Sequence, residues 1–123
     1  MDTLKVLVVD DEISWQILLQ RFLEQRGYTV RTASSATEAL QLLVKYKPDL
    51  IMTDIRMPDM NGFDFLHTLK EQPSLAATPV VFLSGIDDFE AQKVARSLGA
   101  AEYLVKPLNE QDIDTLLSKV LRP

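Results

Sequence analysis

The chain has 123 residues, 46% of them hydrophobic and 25% charged, which is one domain's worth of sequence with a real core. It has no cysteine, which excludes a disulfide framework, a thiolate metal site and a thiol nucleophile. With 13 basic and 18 acidic residues the net charge is −5, which argues against direct nucleic-acid binding; no apolar run is long enough to span a membrane and no signal peptide is read, so the cytoplasm is the expected compartment.

In chain order, residues 4–9 are apolar apart from Lys5 and predict a buried strand. Residues 12–26 follow with helical spacing, and Gly27 is the stop. Trp15, Leu18, Leu19, Phe22 and Leu23 share one arc of that helix, a core stripe, whereas Ile13 and Ile17 fall on the opposite side. Residues 28–32 alternate apolar with polar, as an edge strand does. Ser35 and Glu38 have the spacing of a capping box and open a helix to about Tyr46; Pro48 punctuates before a strand over 50–54. A loop containing Pro58, Asn61 and Gly62 leads into a helix over 63–71, and Pro73 and Pro79 bracket a linker before a strand over 80–83. Asp87 or Asp88 then opens a helix reaching Leu98, stopped by Gly99. Residues 102–105 form a fifth strand, and Asn109 caps a last helix over 111–121. This alternation predicts an α/β fold: a doubly wound, five-stranded parallel sheet with helices on both faces, residues 1–123 forming a single domain.

Three of these strands end in side chains that carry chemistry. Asp10 and Asp11 follow the first, Asp54 ends the third, and Lys106, followed by Pro107, ends the fifth. Ligand sites in parallel sheets gather at the carboxyl ends of strands, so three carboxylates and one ammonium are expected in one crevice. Crowded carboxylates repel unless a cation sits among them, which asks for a divalent metal. Taken singly, the aspartate pair also suits a helix start, Asp54 a turn, and Lys106 an ordinary surface position. Their coincidence at strand ends is what points to a site. His67 falls away from all of them and is expected to face solvent.

Five motifs, in order, carry a family resemblance: Val9-Asp10-Asp11-Glu12; Thr53-Asp54-Ile55-Arg56-Met57-Pro58 with Asn61-Gly62; Leu83-Ser84-Gly85; Gly99-Ala100; and Tyr103-Leu104-Val105-Lys106-Pro107. On these the chain resembles the receiver domain of two-component response regulators over about residues 4–121. The resemblance implies a flavodoxin-like strand order of 2-1-3-4-5. It also implies a phosphorylation-dependent switch in a phosphorelay. Asp54 would accept a phosphoryl group from a histidine kinase or a histidine phosphotransfer protein, with Mg²⁺ as cofactor and Mn²⁺ as a substitute. Asp11 would ligate the metal directly, Asp10 through water, Asp54 as the acceptor, and the backbone carbonyl of Arg56 would add a further oxygen. Lys106 and Ser84 would bind the phosphoryl oxygens. Ser84 and Tyr103 would form the switch, remodelling the surface of the fourth helix, fifth strand and fifth helix for a downstream protein or output domain. Pro107 is expected in a cis bond to Lys106, with Pro58 and Gly62 shaping the loop after Asp54. The chemistry would be self-catalysed phosphoacceptance and autodephosphorylation, without turnover of an external substrate and without a nucleic-acid or membrane partner for this domain.

Within the same resemblance, Ile13, Trp15 and Ile17 are candidates for docking a kinase or phosphotransfer helix, with scattered surface apolar residues as the equal alternative. Arg56 and Ile86 sit where family members control the access of water to the phosphoryl group, and together they predict a long-lived phosphoform. Ala101-Glu102 stands where one branch carries paired acids, and Thr115 where its arginine falls, which puts that branch's charge-paired dimer in doubt. Two other classes fit less well. A haloacid-dehalogenase-like phosphatase has a second acid where this chain has Arg56, and a cap region. A pseudo-receiver acting only as a docking module lacks the full acid set and lysine that this chain keeps.

Overall fold

The computed structural model describes residues 3–85 and 89–121. Ten elements alternate along the chain: β1 (Lys5–Val9), α1 (Ile13–Gln25), β2 (Thr29–Ala33), α2 (Ala36–Leu42), β3 (Leu50–Thr53), α3 (Gly62–Lys70), β4 (Val80–Ser84), α4 (Phe89–Ser97), β5 (Glu102–Val105) and α5 (Glu110–Val120). The strands form one parallel sheet in the order β2-β1-β3-β4-β5. This is the doubly wound arrangement that the alternation predicted. β3 and β4 are buried along their whole length, as strands covered on both faces must be, while β2 alternates and β5 is only half-buried.

Successive β1 side chains feed two separate cores. Leu7 and Val9 pack with Ala36 and Ala39 of α2, Phe65, Leu66 and Leu69 of α3, and Ala95 of α4. Val6 and Val8 pack on the other face with Leu19 and Leu23 of α1 and Ile113, Leu116 and Leu117 of α5. The period-two alternation of a strand thus divides the helices, two on one face and three on the other. Arg26, at the end of α1, pairs with Asp114 and Glu110 of α5 and ties the two-helix face together.

Helix ends follow local chemistry. Gly27 and Gly99 have φ of 89° and 94°, the left-handed region that glycine adopts without steric cost. Around each, two backbone bonds close the helix: Tyr28 N–H to Leu23 O with Gly27 N–H to Glu24 O, and Ala100 N–H to Ala95 O with Gly99 N–H to Arg96 O. Asn109 and Asp112 form a complete capping box on α5. Ser35 accepts the Glu38 N–H, but the Glu38 carboxylate accepts from Ser34 N–H rather than from Ser35, so the expected box closes one residue early. α2 also ends at Leu42, short of the expected Tyr46, and residues 43–45 continue only as turns. α3 starts at Gly62 with Asn61 as its cap. The expected helix start at Asp87 or Asp88, and Ile86, lie outside the described residues.

Candidate functional site

The site lies where β1, β3, β4 and β5 end. Asp54 is delivered by β3, whose register is locked to β1 when the Asp54 N–H donates to Val9 O at 2.9 Å. The Asp54 carboxylate accepts from the next N–H, that of Ile55, at 2.7 Å, which orients the side chain. Asp10 is 1% exposed, and its carboxylate accepts from Glu12 N–H at 3.0 Å. Lys106 follows β5, and its N–H donates to Ser84 O at 2.7 Å, which fixes the strand end to β4. The Lys106–Pro107 peptide is cis.

From that position Lys106 Nζ lies 2.6 Å from Asp10 Oδ2, 3.4 Å from Asp54 Oδ2 and 3.8 Å from Glu12 Oε1. Its side chain is only 7% exposed. Carboxylate oxygens of Asp10, Glu12 and Asp54 all lie within 4.8 Å of one another. One ammonium against three clustered carboxylates leaves the pocket short of positive charge, and hard oxygen donors at this spacing suit Mg²⁺ better than a soft metal. Burial pushes the Asp10 carboxyl above its ordinary range, an effect larger than the opposing hydrogen bonds from Lys106 and Glu12. The salt bridge to Lys106 is short, yet burial of the charge is the stronger influence on Asp10.

A cavity of about 630 Å³ opens beside this cluster, lined by Asp11, Glu12, Asp54, Arg56, Ser84 and Gly85. Asp11, expected as the direct metal ligand, is exposed and lines this wall; the trio of close oxygens is Asp10, Glu12 and Asp54, of which Glu12 is exposed as well. The reason is geometric. Neighbouring side chains diverge as the strand gives way to the helix, so Asp10 turns inward to Lys106 while Asp11 stays at the mouth. Glu12 was not singled out beyond its motif; the signal was a third acid at the same strand end. Ser84 is buried at the end of β4. Tyr103 packs edge-on against Phe82 at 6.4 Å and lines a small pocket with Ala95 and Arg96. Pro58 is exposed in the loop after β3, and Gly62 N–H donates to Ile55 O at 2.7 Å, drawing that loop against Asp54.

Gln16 is a buried participant that the sequence reading missed. Its side-chain N–H groups donate to Asp10 O at 2.5 Å and Ser34 Oγ at 3.0 Å, bracing the turn that carries the acids. Its signal was position: Gln16, Leu19 and Leu23 are the buried residues of α1, so a polar residue stood in the core stripe. Ile13 and Ile17 are 57% and 53% exposed, whereas Trp15 is half-buried with its ring over Lys106. His67 is exposed beside Glu71. Among the described residues no helix is long and apolar enough to cross a membrane.

Known proteins are similar to this chain in sequence and in fold. Residues 6–118 match the response regulator receiver domain family. The alkaline phosphatase synthesis transcriptional regulatory protein PhoP of Bacillus subtilis is 36% identical over 118 residues, 96% of this chain and 48% of that protein. The transcriptional regulatory protein ZraR of Escherichia coli is 37% identical over 121 residues, 98% of this chain and 27% of that protein. The chain therefore spans half or less of the length of these relatives. The chemotaxis response regulator CheY4 of Vibrio cholerae superposes with a TM-score of 0.91 at 34% identity, covering 97% of this chain and 99% of that one. Fold, motifs and relatives agree, and the chain belongs to the response regulator receiver domain family.

Proposed function

We propose that the protein is a phosphorylation-dependent switch in which Asp54 accepts a phosphoryl group from a phosphohistidine on a histidine kinase or phosphotransfer protein. The observation that carries this is the reach of a single buried ammonium, Lys106, to both Asp10 and Asp54 at the edge of an open cavity. A carboxylate attacks a negatively charged phosphoryl group poorly unless the charge on both is offset by groups already in place. In the transfer, an Asp54 oxygen forms a bond to phosphorus, the phosphorus–nitrogen bond breaks, and the imidazole leaves with the electron pair.

Mg²⁺ or Mn²⁺, when bound, would supply the positive charge that holds acceptor and phosphoryl oxygens together. Asp10, Glu12 and Asp54, with Asp11 and the Arg56 carbonyl at the mouth, are the oxygen donors for it. Lys106 leaves its carboxylate partners to meet a phosphoryl oxygen, and the Ser84 hydroxyl donates to another. A phosphoryl group of charge near −2 then draws Ser84 inward. Tyr103 follows, altering the α4–β5–α5 surface for a partner or an output domain, which the transcriptional-regulator names of the two relatives make a natural reader. Ile13 and Ile17, exposed on α1, are the docking residues for the incoming helix. Arg56 screens the product from water and lengthens its life.

Incubation with Mg²⁺ and acetyl phosphate, followed by intact-mass measurement, tests the reading. It predicts one phosphoryl adduct per chain, absent in Asp54→Asn. Multiple turnover of an external phosphoester points instead to a phosphatase. No adduct, and no binding of beryllofluoride, points to a docking module.

A further inference from the structure

We infer that Trp15 is a positioning residue for Lys106, its indole face holding the ammonium over Asp10 and Asp54. Lys106 Nζ lies 4.9 Å from the centroid of the Trp15 ring, within the range at which an aromatic face attracts a cation. The same nitrogen is 2.6 Å from Asp10 Oδ2 and 3.4 Å from Asp54 Oδ2. An ammonium on a flexible four-carbon stem has no geometry of its own, so its position is set by what surrounds it. Two buried carboxylates attract it from one direction, and the indole closes another. Without the ring, Glu12, which is exposed and already at 3.8 Å, and water would compete for the ammonium.

Both ends of the contact are anchored. Trp15 lies in the first turn of α1, packed half-buried against the core cluster that contains Leu19, Leu23 and Ile113. Lys106 is tied to β4 through its backbone bond to Ser84. The indole therefore links the helix after the acids to the strand that supplies the lysine, across the mouth of the site. Its catalytic meaning rests on the reading of Asp54 as phosphoacceptor. An ammonium held in advance between Asp10 and Asp54 has only a short way to move to meet the incoming charge.

Trp15 is the only tryptophan, so its emission reports the contact directly. The metal-free full chain and its Lys106→Met variant should differ in tryptophan emission; identical spectra overturn the contact. With acetyl phosphate and saturating Mg²⁺, Trp15→Leu should form adduct about fivefold more slowly, and Trp15→Phe should recover to within about twofold of wild type. Equal rates in all three chains, at equal folded fraction by circular dichroism, leave the indole a packing role only and overturn the proposal. If Trp15→Leu does not fold, the Phe variant carries the rate test: a rate more than about tenfold below wild type overturns ring-based positioning. If wild type forms no adduct while Lys106→Met still changes the emission, the phosphoacceptor reading fails and the positioning contact stands.

Discussion

Lys106 Nζ and Asp10 Oδ2 meet at 2.6 Å although 96 residues separate them, and both side chains are almost wholly buried. The pair joins the last strand of the sheet to the first and neutralises one of three clustered carboxylates. Removing one member of such a buried pair leaves an uncompensated charge.

Lys106→Met should therefore destabilise the metal-free domain by about 3 kcal/mol in urea unfolding. Mg²⁺ should recover part of this by taking the place of the missing cation. At about ten times its dissociation constant it adds about 1.4 kcal/mol, or roughly 5 °C in Tm. A variant as stable as wild type without metal would show that the pair contributes no net stability.

Asp10 gives stability an unusual pH dependence. Burial raises its folded-state pKa above the ordinary 3.8, so the folded state holds this proton to higher pH than the unfolded chain does. Its contribution is complete below 3.8 and is lost as pH rises through the folded value. Asp59 and Asp114 act in the opposite sense. Hydrogen bonds from Thr37 and from Arg26 hold them below 3.8, so their contributions are present above that value and vanish as pH falls. Metal-free wild type should lose stability relative to Asp10→Asn as pH rises from about 4. Thermal melts of both chains across that range check the sign, and a gain with pH contradicts it.

Gly62→Ala tests the loop that cradles Asp54. A Cβ there would lie 2.5 Å from Asp54 O, 2.9 Å from Ile55 Cα and 2.9 Å from Phe82 Cε1. Two of those neighbours are backbone, so the clash cannot be relieved by a side-chain rotation. A loss of about 2 kcal/mol is expected. Adduct formation should also slow, because the displaced backbone carries the acceptor. A variant with wild-type rate and stability would mean that the α3 start yields freely.

Ile17→Glu separates docking from chemistry. Ile17 lies exposed on α1 and is not among the residues lining the cavity beside the acids. Transfer from a cognate phosphohistidine donor should fall about tenfold, equivalent to about 1.4 kcal/mol. The reaction with acetyl phosphate should be unchanged. Equal transfer from the protein donor removes this face from the docking surface.

What the sequence alone determined about this protein was whatever depends on neighbours along the chain. Apolar runs gave the five strands, Gly27 and Gly99 gave two helix stops, and Asn109 gave a cap, because strand burial, left-handed glycine and capping are local effects. The meeting of Asp10, Asp54 and Lys106 was legible too, since parallel strands deliver their ends to one edge. Tertiary structure alone decided which way each side chain leaves its strand end. An oxygen of the exposed Glu12 comes close to the buried Asp10 and Asp54, Gln16 turns inward to brace the acidic turn, and Trp15 covers Lys106. Those outcomes depend on Lys106 reaching Asp10 across 96 residues and on how α1 packs beside β1 and β2. Periodicity assigns a residue to a face, but only packing between distant elements sets which atoms meet there.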